Sequence, residues 1–149
     1  MSFKQKVYSH CTELLNEKVN TLQLALYELT QSAANETKST AGDKHETALA
    51  MLQLEQENIS RQLKAVLDQK AILEGIDPSI KSLRIGNGSL VKTDNGFLFL
   101  SVALGKIIVE DIQVIALSSQ SPLGKKLMGL KRNDYTDIKG RVYAVETIE

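Results

Sequence analysis

Asp43 and Glu46 are the residues whose types and spacing most invite chemistry. Carboxylates three positions apart share one face of a helix. A hard cation such as Mg²⁺ suits one or two such groups, with waters and substrate oxygens filling the other positions. The pair cannot build a complete metal site alone, though it could complete one that another molecule supplies. The same spacing has a plainer reading. Asp-x-x-Glu at a helix start is a capping box, with Asp43 as N-cap and Glu46 as N3. The two roles are compatible, and the residues leave both open. Lys44 and His45 lie between the acids. A lysine cation pointing inward would repel a metal, and His45 reads as a solvated polar residue.

A second constellation is Ser121-Pro122-Leu123-Gly124-Lys125-Lys126-Leu127-Met128-Gly129. Ser121 suits an N-cap, Pro122 the first helical position and Gly129 the stop. Lys125, Lys126, Lys131 and Arg132 form a basic cluster beside this helix. It reads as a solvated face that could also dock an acidic patch. Cys11 is the only cysteine, so no internal disulfide forms, and no Cys/His spacing suits zinc. No neighbouring base or cation marks it as reactive. His10 reads as an exposed helix residue, and Met51 and Met128 as packing residues. Gly86-Asn87-Gly88 is not a phosphate loop, since no Gly-Lys-Ser/Thr follows.

The elements that must position these groups differ between the halves. From Phe3 to about Ala33, apolar or small residues recur at Tyr8, Cys11, Leu15, Val19, Leu22, Leu26, Leu29 and Ala33. Steps of three or four trace one stripe along a helix. A second stripe follows from about Lys44 to Glu74: Leu49, Leu52, Gln56, Ile59, Leu63, Val66, Lys70 and Leu73. Gln56 and Lys70 are polar seam positions of the kind that set register. Polar residues 35–42 between the stripes predict a loop, and so short a loop makes the helices antiparallel. Gly75 and Pro78 predict the helix end and a domain boundary, giving a hairpin over 1–75 and a second domain over 76–149.

Beyond that boundary the period moves towards two. Strands are predicted at Ser89–Thr93, Phe97–Leu104, Ile107–Val109, Val114–Leu117, Asp134–Ile138 and Arg141–Thr147. Turns are expected at Asp94-Asn95-Gly96, Gly105-Lys106 and Lys139-Gly140. With the helix Pro122–Met128, this is a small antiparallel sheet, so the fold class is α+β.

Composition limits the function classes. The 149 residues are 42 % hydrophobic and 24 % charged, with net charge 0. A balanced charge argues against bulk nucleic-acid binding. The opening residues show no secretory pattern and no apolar run is long enough to span a bilayer, so a cytoplasmic protein with no membrane partner is expected.

Three runs resemble the Gre family of bacterial transcript-cleavage factors. Gly88-Ser89-Leu90-Val91 is similar to the G-S-x-V that opens its C-terminal domain. Ser121–Asp134 is similar to its S-P-L-G-K-A-L-L-G-K-K-x-G-D segment, with Asn133 in place of Gly. Gly42-Asp43-Lys44-His45-Glu46 is similar to its G-D-x-x-E tip. The resemblance covers nearly the whole chain and implies a coiled-coil hairpin followed by an FKBP-like domain. It implies RNA polymerase as partner, with the tip inserted in the secondary channel. Asp43 and Glu46 would then be catalytic and metal-assisting only within that complex, sharing Mg²⁺ beside the nascent RNA 3′ end. No cofactor would be stably bound, no small-molecule substrate is implied, and the chain would not be a stand-alone enzyme. Prolyl isomerase activity is not implied. Ser121, Pro122, Leu123, Gly124, Lys125, Lys126, Lys131 and Arg132 become the partner-binding candidates.

The tip departs from the family pattern E-N-A-E-[YF], continuing Glu46-Thr47-Ala48-Leu49-Ala50. Two rivals therefore stand beside cleavage stimulation: a non-catalytic channel regulator, and a self-associating scaffold whose broken stripes leave apolar surface for a homodimer.

Overall fold

A computed structural model describes the backbone of residues 1–36 and 42–149 and the side chains of residues 1–35 and 46–149. The fold is α+β. Two long helices that pack together, α1 (Phe3–Glu36) and α2 (Gly42–Glu74), precede a six-stranded sheet with one short helix. The strands are β1 (Leu90–Thr93), β2 (Gly96–Ser101), β3 (Gly105–Val109), β4 (Ile112–Ser118), β5 (Tyr135–Ile138) and β6 (Arg141–Ile148). Helix α3 (Pro122–Leu127) lies between β4 and β5. No helix among the described residues is long and apolar enough to cross a membrane.

Helix α1 starts where it does because Ser2 and Gln5 cap it reciprocally. The Gln5 N–H donates to Ser2 Oγ at 3.1 Å, and the Ser2 N–H donates to Gln5 Oε1 at 3.0 Å. This is a capping box at the opening of the chain. Helix α2 ends with the Gly75 N–H on the Ala71 carbonyl and the Ile76 N–H on the Leu73 carbonyl. Gly75 is not left-handed, so the predicted stop rests on these bonds and on Pro78.

Contacts divide the chain into two compact units. One is Leu14–Lys70; the other joins Met1–Glu13 to Ala71–Glu149. In the first, both predicted stripes are the less exposed positions. Leu15 and Val19 are buried; Leu22, Leu26, Leu29 and Ala33 are half-buried, as are Leu49, Leu52, Gln56, Ile59, Leu63, Val66 and Lys70. Gln56 donates across to Thr30 Oγ1 at 3.5 Å, so this polar seam residue has a partner on the other helix.

In the second unit the strand order is β3-β4-β2-β1-β6-β5. Pairing is antiparallel except between β2 and β4, which run parallel with Phe99 opposite Ala116. The predicted strands are present, but Gly105 opens β3 instead of forming a turn with Lys106. Glu110 and Asp111, with φ of 51° and 64°, make the β3–β4 turn. The sheet is covered on both faces. Leu98 and Leu100 join Ile85, Val91, Leu127 and Val145 in one core. Phe97 and Phe99 point the other way by strand alternation. There Phe3 of α1 meets Phe97 at a ring separation of 5.3 Å.

The first turns of α1 are tied to this unit by polar contacts as well. Lys4 Nζ donates to the Ile80 carbonyl at 2.6 Å and Tyr8 Oη to the Leu73 carbonyl at 2.9 Å. Lys6 pairs with Glu110 at 2.6 Å. Burial holds the Lys4 ammonium below its ordinary pKa.

Candidate functional site

The site that the structure defines best is the corner around α3. Its helix starts as expected: Ser121 is extended (ψ 159°), and its Oγ accepts the Gly124 N–H at 3.0 Å. The same Oγ donates to the Ser118 carbonyl at 2.7 Å, so one hydroxyl fastens α3 to the end of β4. Gly124 is required by close approach, since a Cβ there would lie 2.1 Å from the Ser118 carbonyl oxygen. The helix ends at Leu127 with Met128 as C-cap, and Gly129 turns the chain with φ of 84°.

The following residues are stitched in from both sides. The Ile85 N–H donates to the Leu130 carbonyl and the Gly129 N–H to the Ile85 carbonyl, each at 2.8 Å. Arg84 donates to the Gly129 carbonyl at 3.0 Å. Asn133, which stands where the resembled segment has Gly, takes the left-handed conformation with φ of 75°, and its N–H donates to the Val145 carbonyl at 2.9 Å. Asp134 accepts the Lys131 N–H at 3.0 Å. Ser121–Asp134 is thus one continuously bonded segment on a closed core.

The candidate cations do not behave alike. Lys126 Nζ donates to the Asp137 carbonyl of edge strand β5 at 2.7 Å. Lys125, Lys131 and Arg132 are exposed and their side chains make no ion pair among the described residues.

Beside α3 lies an open groove of 560 Å³. Buried Leu117 and Tyr143 form its floor, and Ile115, Leu123 and Ile138 its half-buried walls. Lys139 and Arg141 stand at its rim. These two residues were expected only as parts of a turn and a strand. Register places Arg141, which pairs with Ile138 so that those two side chains leave the same face of the sheet, and Lys139 stands in the turn between them. The only sequence signal was the i, i+2 alternation of Arg141, Tyr143 and Val145. Among the aromatics of residues 76–149, Phe99 and Tyr143 are buried, Phe97 is half-buried and Tyr135 is exposed.

The backbone of α2 begins at Gly42, which includes Asp43 and Glu46. The Asp43 side chain, with its capping and metal roles, lies outside the described residues, as do those of Lys44 and His45. Glu46 is exposed. No group of three His, Cys, Asp or Glu among the described residues could hold a metal.

No family model and no curated protein matches the chain. Among solved structures it is similar to that of the transcription factor Gfh1, with 20 % identity over 92 % of each chain and a TM-score of 0.37.

Proposed function

We propose that this chain is a Gre-type elongation factor that binds RNA polymerase, docks through the Ser121–Asp134 corner and presents the hairpin tip to the secondary channel. One observation supports this reading above others. The run that resembles the family's docking segment folds as a single bonded unit, with its Ser, Gly124 and Asn133 each in the conformation their types serve best. The two stripes, each traceable in burial, support a hairpin long enough to reach, about 50 Å at 1.5 Å per residue.

The chemistry follows from what the tip lacks. Two carboxylates fall short of a Mg²⁺ site, and Glu46 faces solvent, so a metal would be shared with acids of the polymerase. Such an ion would serve as the second of two, one helping to generate the attacking water and the other stabilising the leaving oxygen in hydrolysis of the RNA 3′ end. Asp43 and Glu46 would contribute charge and position, and hydrolysis would belong to the polymerase. Lys44 between the acids favours a second reading, in which the tip occupies the channel without stimulating cleavage.

RNA release from stalled elongation complexes separates the two. Wild-type stimulation that falls at least ~10-fold in Asp43→Ala supports cleavage. Inhibition that survives the substitution supports the blocking role. Recovery of the chain alone, without polymerase subunits, in a pull-down from native cytosol would overturn both in favour of the scaffold.

A further inference from the structure

We propose that the groove beside α3 receives an apolar side chain flanked by carboxylates, on a segment of a protein partner, with Lys139 and Arg141 as its selectivity residues. The inference rests on reading the Ser121–Asp134 corner as a polymerase-docking surface, and it names the chemistry that surface selects.

The groove is an opening of the core onto the surface. Ile115, Leu123 and Ile138 all pack against the buried cluster that contains Leu117 and Tyr143. An inserted aliphatic side chain would extend that cluster and remove the remaining apolar surface from water.

The rim adds charge of one sign. Neither Lys139 nor Arg141 makes a side-chain hydrogen bond or ion pair among the described residues. The nearest acid of this hairpin, Asp137, alternates with Ile138 and so leaves the opposite face of β5. Unpaired cations around an apolar floor complement carboxylates around an apolar knob.

Two other occupants fit less well. Nucleic acid wants exposed aromatic faces for stacking, and the one aromatic here, Tyr143, is 7 % exposed. A strand added to the β5 edge would need its free carbonyls, and Lys126 already holds that of Asp137.

The test uses the full chain and three probes, read by NMR shifts at Leu123, Ile138 and Tyr143. The probes are a peptide with two leucines flanked by aspartates and glutamates, its lysine-flanked counterpart, and decathymidylate. The proposal expects saturable shifts with the acidic peptide only, and affinity weakened ~10-fold in Lys139→Gln/Arg141→Gln. Both substitutions are on exposed side chains, so the fold is preserved. No saturation, equal binding of the lysine peptide, binding of decathymidylate in the groove, or unchanged affinity in the double variant would each overturn it. Capture of RNA polymerase by the wild type is scored separately. Its failure sinks the proposed function, while the peptides decide the groove.

Discussion

Cys11 is fully buried, and burial pushes its thiol up to about 11 from 9.0. The unfolded chain therefore loses this proton before the folded one does. Between those two values the unfolded state binds fewer protons, so stability falls as pH rises from about 9 and levels off past about 11. The loss should reach roughly 2–3 kcal/mol and be missing in Cys11→Ala, which isolates it from lysines titrating nearby. Urea midpoints of the two proteins across that pH range measure it; parallel curves would refute it. At neutral pH the thiol should resist alkylation until the protein unfolds. The burial of Cys11 was legible, since it stands on the seam stripe. That of Lys4, at 4 % exposure, was not. Nothing in the sequence near a lysine announces that a carbonyl 76 positions away will accept its proton. The left-handed Asn133 was legible because few other residues tolerate that backbone.

Helix α1 carries one stripe but not one environment. Val7, Cys11, Leu15 and Val19 are buried, and Leu22, Leu26, Leu29 and Ala33 only half so. Leu15→Ala should cost about 3 kcal/mol, because it leaves a cavity in a closed core. Leu29→Ala should cost about 1 kcal/mol, because its side chain gives up less burial and solvent fills the gap. Urea denaturation followed by helical circular dichroism gives both; equal losses would mean the stripe is uniformly packed. Periodicity revealed the stripe and both polar seam positions, since a helix repeats its own geometry. It could not show the burial gradient, which depends on what else packs against each turn. The sheet was legible strand by strand but not in order. The parallel β2–β4 pair sets β4 between β2 and β3, a choice made by long-range packing. Polar Glu110-Asp111 is legible as a break between two strand-like runs, but not as a tight turn, because both its residues take positive φ without the usual Asn or Gly. The groove was invisible for a related reason. Its walls come from β4, α3 and the β5–β6 hairpin, which only the tertiary fold brings together.

At the scale of the molecule, contacts group together segments that lie far apart along the chain. Met1–Glu13 belongs with Ala71–Glu149, although nearly sixty residues separate them. The reason is physical. Phe3 supplies a ring to Phe97, Lys4 and Tyr8 bond to the Ile80 and Leu73 carbonyls, and Val7 is buried. A chain cut at 76–149 therefore exposes the Phe97–Phe99 face of its sheet and the groups α1 once satisfied. Joining Met1–Glu13 through a short Gly/Ser loop to Ala71–Glu149 restores that cover without the rest of the hairpin. The joined form should unfold cooperatively in urea, while 76–149 alone should be less stable by at least ~3 kcal/mol and bind hydrophobic dye. Equal stability of the two forms would show that α1 merely rests on the sheet. Superior stability of the joined form would mean that the sheet unit is itself built around the first turns of α1. Under the proposed function, Phe3→Ala should then lower both polymerase capture and RNA release from stalled complexes, although Phe3 lies in neither candidate site; a variant that keeps both would show that docking does not depend on this packing.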